Sequence, residues 1–455
     1  MRIAIITENF LPKVDGVTRT LARLLEHLRA TGHSVILFGP ESNMDVYAGA
    51  KLYGTAGIPF LPYPGLQLNL WRPAFTKRLL EFDPHVVHLV DPVYLCAAFL
   101  FWFRSNKIPT VASYHTNLAT YCTQFGWGVF ASLMWSWNRY CHSRCDYTAC
   151  PSESTRRILQ TKKFKNLRLW PRGIDTALFS PHQRSDCLRA QWLAAAGGGE
   201  RDPPAATVVI LYVGRISYEK NLDLVLESYK QMDHSKCHLV IVGEGPALQS
   251  MQKDCSRLQT PVTFTGYLQG IDLAAAYASA DIFAFPSFTE TFGQVVLESM
   301  ASGLPVVGLL AEGVRDLVKD QESGLLLDTA NMPRLTQVQE YGKLLQKLVL
   351  DSDSRAQMSQ KAIKIAYSYT WWDAMENMVQ IYRDAVANHR MEIAHNDEYD
   401  TESLENVDQD VQSSSTRTKG SQATSTGSSD SGVQDEFTDI SSTDSAINCL
   451  SAEYA

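Results

Sequence analysis

No stretch of this sequence is apolar for long enough to cross a bilayer as a helix. The longest run, Val93 to Phe103, is about half a membrane span. No signal peptide is read before the first strand, which begins at Arg2. The nine cysteines contain no CxxC pair, and their odd number argues against a closed disulfide framework. Cys141 and Cys145 lie one helical turn apart without a matching ligand pair, so no structural zinc is expected. No GxGxxG follows the first strand, which argues against a dinucleotide oxidoreductase. Neither Asp351-Ser352-Asp353 nor Asp408-Gln409-Asp410 sits at an expected strand end, so no metal cofactor is expected. These absences predict a cytoplasmic protein in a reducing compartment, peripheral at most on the cytosolic face of a membrane.

What is present is uneven charge. Residues 1–180 hold 20 Lys and Arg against 11 Asp and Glu, a net of +9. Residues 181–390 hold 19 against 24, a net of −5, and residues 391–455 hold 2 against 14, a net of −12. A basic first part suits an anionic ligand or a membrane surface. The 455 residues, 45% of them hydrophobic, can bury the cores of two domains. From Met391 onward Ser, Thr, Asp, Glu and Gly dominate, so 391–455 is expected to be a disordered acidic tail.

Strands and helices alternate before that point. RIAIIT (2–7) and SVILFGP (34–40) read as buried strands, with a helix from about Thr18 to Thr31 between them. The loop before that helix carries Gly16, which permits close backbone approach to a phosphate. HVVHLVD (85–91), TVASYHT (110–116) and DYTACPS (146–152) continue the α/β pattern. His115 stands at the C-terminal end of its strand, where open parallel sheets place ligand sites. Phe125, Trp127, Phe130, Trp135 and Trp137 crowd residues 118–140, fitting either helix core or an acceptor rim that faces lipid. Residues 181–207 are expected to be a linker, and AAAGGGERDPPAA (194–206) has linker composition. A second α/β unit follows from Val208. Arg215 and Lys220 come directly after its first strand, placed to reach a diphosphate. Gly243-Glu244-Gly245 and Thr265-Gly266-Tyr267 end its next two strands, where they would flank a base.

The chain is organised around DIFAFPSFTETFGQVVLESMASGLP (281–305). Ile282 to Phe285 reads as a buried strand, and a helix is expected from near Phe292 to about Ser302, stopped by Gly303 and Pro305. A strand, a loop and a helix N-terminus offer unpaired N–H groups to an anion. Glu290 lies before this helix and Glu298 within it, their backbones roughly 10–12 Å apart at about 1.5 Å per residue. A glycosidase holds its carboxyl groups about 5–9.5 Å apart across one anomeric carbon. One long ligand with hydroxyls at both ends and phosphates between fits the spacing better; a dipole partner and a solvated helix residue remain the alternative.

Glu290, seven residues and Glu298, with Phe292-Gly293 between and Ala301-Ser302-Gly303-Leu304-Pro305 after, resemble the donor-site motif of retaining glycosyltransferases of family 4. The likeness covers about residues 1–390. It implies the GT-B fold, two Rossmann-like domains facing a cleft. Residues 1–180 would form the acceptor domain and 208–369 the nucleotide-sugar domain, with a helix over 370–390 packing back on the first. By the same resemblance, Arg215 and Lys220 neutralise the leaving diphosphate, helped by backbone N–H groups near Gly16 and Phe292-Gly293. Glu290 and His115 hold the sugar, Glu298 the ribose, and Tyr267 lies by the base. The family implies retention of the α-linkage.

The loop TENFLPKVDGVTRT is similar to that of bacterial GDP-mannose-dependent α-mannosyltransferases of glycolipids. SYHTN is similar to the corresponding segment of sulfoquinovosyl-diacylglycerol synthases, which use UDP-sulfoquinovose. The expected activity is hexosyl transfer, from GDP-mannose first, with UDP-sulfoquinovose or UDP-glucose as alternative donors. The expected partners are the nucleotide sugar, a lipid or glycolipid acceptor and an anionic membrane surface, with no nucleic acid. A GT-B epimerase and a nucleotide-sugar-binding protein remain the readings outside transfer.

Overall fold

The computed structural model describes residues 1–11, 15–59, 67–102, 108–117, 128–196 and 207–391. Two parallel sheets dominate it. The first runs Leu167–Leu169, Tyr147–Cys150, Thr110–Ser113, Val86–Val90, Arg2–Thr7, Ser34–Pro40, Ala50–Thr55 and Val46–Tyr47 from edge to edge. Only the pairing of Val46–Tyr47 with Ala50–Thr55 is antiparallel. Arg2–Thr7 lies between Ser34–Pro40 and Val86–Val90 with both faces covered, which is why it reads as an unbroken apolar run. Its side chains alternate between two cores. Ile3 and Ile5 pack with Leu21, Leu24 and Leu28 of the helix Gly16–Ala30, whereas Ala4 and Ile6 pack with Phe75, Leu79 and Phe99 on the other face.

The second sheet runs Val262–Gly266, Cys237–Val242, Val208–Val213, Ile282–Phe285, Val306–Leu309 and Gly324–Leu327, all parallel. Its order reverses between Val208–Val213 and Ile282–Phe285, and a crevice beyond the strand ends is expected at that point. Residues 371–391 form a helix that crosses back to the first sheet. Met375, Met378, Val379 and Tyr382 enter the Ile3/Ile5 core, and the Trp170 indole N–H donates to the Ala374 carbonyl at 3.0 Å.

Two boundaries differ from those read in the sequence. Asp186–Ala196 is a helix rather than linker, because Trp192 and Leu193 are buried in the second core. The helix expected from Phe292 begins at Gln294, because Gly293 stands at φ +92°, outside helical geometry. Residues 12–14 of the first loop, 118–127 with Phe125 and Trp127, 197–206 of the linker, and the acidic tail from 392 lie outside the described residues. Among the described residues, no helix is long and apolar enough to cross a membrane.

Candidate active site

The loops that follow the strands of both sheets enclose a cavity of about 680 Å³. All nine residues singled out above as candidate site residues line it: Gly16 and His115 from the first domain, and Arg215, Lys220, Tyr267, Glu290, Phe292, Gly293 and Glu298 from the second. Their surroundings differ from one to the next.

Lys220 ends the short turn Tyr218–Lys220 after Val208–Val213. The next residue, Asn221, takes a left-handed conformation and donates its amide to the Pro286 carbonyl at 3.1 Å, tying this loop to the one after Ile282–Phe285. The Lys220 ammonium donates to Glu290 Oε1 at 2.5 Å, both side chains being 18% exposed. Ser287 Oγ donates to the same oxygen at 3.0 Å. The sequence-based roles keep Lys220 at the diphosphate and Glu290 at the sugar, whereas here the two groups are one ion pair. Arg215 is over half exposed and lies 3.9 Å from Glu219. Tyr267 is also exposed. Phe292 is buried, its ring edge-on to Tyr369. The helix Gln294–Ala301 has no side-chain cap, and Gly293, Gln294 and Val295 at its start line the cavity.

Glu298 is 3% exposed and not on a solvated helix face. It accepts from the Tyr277 hydroxyl at 3.2 Å, and Arg19 of the first domain lies 3.9 Å away. Burial pushes its carboxyl up to about 7, against the opposing pull of Arg19 and Tyr277. Gly16 opens the helix Gly16–Ala30, but the Asp15 carboxylate already accepts from the N–H groups of Val17 and Thr18. A Cβ on Gly16 would meet nothing within 4 Å, so no protein packing demands glycine there.

His115 is buried in a chain of hydrogen bonds. Arg172 Nη2 donates to its Nδ1 at 2.8 Å. A guanidinium only donates, so Nδ1 accepts and the neutral ring carries its proton on Nε2. That N–H donates to Ser113 Oγ at 2.8 Å, Ser113 donates to His88 Nε2 at 2.8 Å, and His88 Nδ1 donates to Tyr382 at 2.7 Å. Burial, with Arg172 beside it, holds the His115 pKa well below its usual range. Both ring nitrogens are therefore engaged, and a sugar hydroxyl could bond to the ring only by displacing one partner. The Asp91 carboxylate braces the same turn, accepting from the His115 and Thr116 backbone and from Thr116 Oγ1.

Contacts between the domains surround the cavity. Thr291 Oγ1 donates to the His115 carbonyl at 2.8 Å, Thr155 Oγ1 to Glu312 at 2.6 Å, and Gln294 to the Gly173 carbonyl at 3.1 Å. Sequence reasoning missed Arg19, Arg172 and Tyr277. Arg172 had a signal, the segment LWPRGID that follows the last strand of the first sheet. Arg19 and Tyr277 look like ordinary helix residues and had none. Among the described residues, no three His, Cys, Asp or Glu side chains are grouped to hold a metal ion.

Residues 14–178 match the family model described as Glycosyltransferase Family 4, and residues 201–365 that described as Glycosyl transferases group 1. The chain is 37% identical over 334 residues to the GDP-mannose-dependent alpha-mannosyltransferase of Mycolicibacterium smegmatis, a match spanning 72% of this chain and 84% of that protein. It is 29% identical over 376 residues to sulfoquinovosyl transferase SQD2 of Arabidopsis thaliana, spanning 81% and 71%. Sucrose-phosphate synthase from Thermosynechococcus elongatus shares the fold, with a TM-score of 0.67 and 19% identity over 85% of this chain and 99% of that one.

Proposed function

This chain belongs to glycosyltransferase family 4, with the GT-B fold, and on that premise we propose that it moves a mannosyl group from GDP-mannose to a membrane glycolipid with retention of the α-linkage. The acceptor oxygen bonds to the anomeric carbon as the bond to the diphosphate breaks, and the acceptor hydroxyl proton passes to the departing phosphate oxygen. Arg215 and Lys220 neutralise that leaving group, and no metal is assigned to the site. A fixed cation at a developing charge lowers a barrier by about 2–4 kcal/mol. For Lys220 to act so, the diphosphate has to share or take over the contact with Glu290, which then turns to the sugar hydroxyls. Glu298 holds the ribose, and His115 and its backbone line the sugar pocket.

The observation that carries this reading is the shared cavity of Arg215, Lys220, Glu290 and Glu298. The donor rests on similarity: the mannosyltransferase relative is 37% identical and the sulfoquinovosyl transferase 29%. The latter supports UDP-sulfoquinovose as the second reading. The basic first domain is assigned to anionic lipid, through the exposed Phe130 and Leu133 of the helix Gly128–His142. The test is incubation with GDP-mannose, UDP-sulfoquinovose and UDP-glucose in the presence of extracted glycolipid, read by product mass. A mannosylated lipid is expected, in EDTA as well as without it. An isomerised nucleotide sugar, or binding with no product from any donor, would overturn transfer; loss in EDTA restored by Mn²⁺ would overturn the metal-free site.

A further inference from the structure

Among the described residues, four Lys and Arg side chains line the cavity: Arg19, Arg172, Arg215 and Lys220. Three have a carboxylate within ion-pair distance, Arg19 with Glu298, Arg215 with Glu219 and Lys220 with Glu290. Arg172 has none among the described residues, although it is the most deeply buried of the four, at 7% exposed. Its Nη1 donates to the Trp170 carbonyl at 3.1 Å and its Nη2 to His115. The guanidinium carbon lies over the Trp170 ring, 4.6 Å from its centroid. Two of five N–H donors are thus used, and the other three have no partner among the described residues.

Asp91 offsets this charge at longer range only, since its two oxygens already accept from the His115 and Thr116 backbone and the Thr116 hydroxyl. Burial draws the Arg172 pKa down to about 10, so the group is still a cation near neutral pH. A buried guanidinium is stabilised by a paired oxyanion, and its fork matches carboxylate and phosphate in two parallel bonds. The position is equally informative. Arg172 comes from the first domain and donates to His115, whereas Arg215 and Lys220, given to the diphosphate, come from the second domain.

We propose that Arg172 forms an anion-binding subsite of the cleft, taking a carboxylate, sulfonate or phosphate ester carried by the ligand next to His115. This rests on the transfer reading and deepens it: one of the two molecules that meet in the cleft is charged at that end. The anion belongs either to the acceptor headgroup or to the transferred sugar.

Calorimetric titration of the full chain and of Arg172→Gln separates these sources without turnover. In the acceptor arm, protein saturated with GDP is titrated with glucuronate, inorganic phosphate and methanesulfonate. In the sugar arm, UDP-glucuronate is compared with UDP-glucose. In one arm, wild type should bind the anion and Arg172→Gln should weaken it about tenfold or more, with GDP and UDP affinities unchanged within about twofold. Wild type that prefers no anion in either arm overturns the subsite, as does an Arg172→Gln protein that binds the anion equally well. Equal loss of GDP or UDP affinity overturns it too, because Arg172 then serves the donor diphosphate. If Arg172→Gln does not fold, Arg172→Lys keeps the charge without the fork and should weaken glucuronate more than phosphate; unchanged affinity for both counts against the subsite. Failure of these titrations leaves transfer itself standing, since that is judged by product mass.

Discussion

Lys220 and Glu290 form one largely buried ion pair in the cleft, and that pairing sets what their substitution does. Lys220→Ala leaves the Glu290 carboxylate with the Ser287 hydroxyl and little solvent. Turnover should fall roughly 30-fold to 1,000-fold, the equivalent of about 2–4 kcal/mol of barrier. Melting should change far less; near-normal kcat would remove Lys220 from the leaving-group role. Glu298 makes a separate prediction through its proton. Its carboxyl titrates near 4.5 when exposed and near 7 in the fold, so between those values the folded chain keeps a proton that the unfolded chain has lost. Stability therefore falls as pH rises through that window and is level above it. Glu298→Gln cannot ionise, so its melting temperature relative to wild type should climb between about pH 5 and about pH 7, then hold. A difference that is constant with pH would contradict the buried, proton-holding carboxyl. The same substitution should weaken GDP and UDP, whereas Glu290→Gln should mainly reduce transfer. The sequence gives the two glutamates by spacing, but their opposite environments depend on Tyr277, Arg19 and Lys220, which only the fold brings near.

Long parallel strands were the most legible elements, because burial on both faces leaves an unbroken apolar run such as Ile3 to Ile6 or Ile282 to Phe285. Ala50–Thr55 was not legible. Its burial does not alternate cleanly, and its place near the sheet edge comes from pairing with Ser34–Pro40. Gly324–Leu327 hides behind a glycine whose added Cβ would lie 2.2 Å from the Val306 carbonyl, a constraint invisible without the neighbouring strand. Helix starts depend on single residues. Gly293 takes φ +92° to turn the chain into Gln294–Ala301, and a Cβ there would meet only side chains at 3.5 Å or beyond. Gly293→Ala therefore costs backbone strain rather than a clash, roughly 1–2 kcal/mol of stability. It also re-aims the uncapped N–H groups beside the diphosphate site. Denaturant unfolding and GDP titration should show both losses together; an unaltered GDP affinity would take these N–H groups out of donor binding.

At the scale of the whole molecule, the two-domain plan was readable from the order of elements, and the return of residues 371–391 to the first core was readable only by resemblance. What composition alone left undecided was the aromatic stretch ending at residue 140. Phe130, Leu133, Trp137 and Tyr140 fall at intervals that share one face of the helix Gly128–His142. Phe130 is 58% and Leu133 66% exposed, while Phe101, 57% exposed, stacks on Trp137 and Tyr140. Arg144 lies over the Tyr140 ring at 4.0 Å. An apolar stripe with a guanidinium at its margin, on a domain of net charge +9, suits insertion into the headgroup region of an anionic bilayer. Each basic residue near such a surface contributes about 1 kcal/mol, and the attraction fades over a Debye length of about 8–10 Å. Full-length protein should co-sediment with phosphatidylserine vesicles at low salt, weakly or not at all with phosphatidylcholine vesicles, and less as salt rises. Phe130→Glu with Leu133→Glu should abolish sedimentation while leaving the melting temperature nearly unchanged, because both side chains already face outward. Removing residues 391–455 changes the net charge from −8 to +4 and should tighten binding at every salt concentration. If neither full-length nor truncated protein binds anionic vesicles at low salt, the lipid acceptor loses its physical support, and a soluble sugar becomes the acceptor to test.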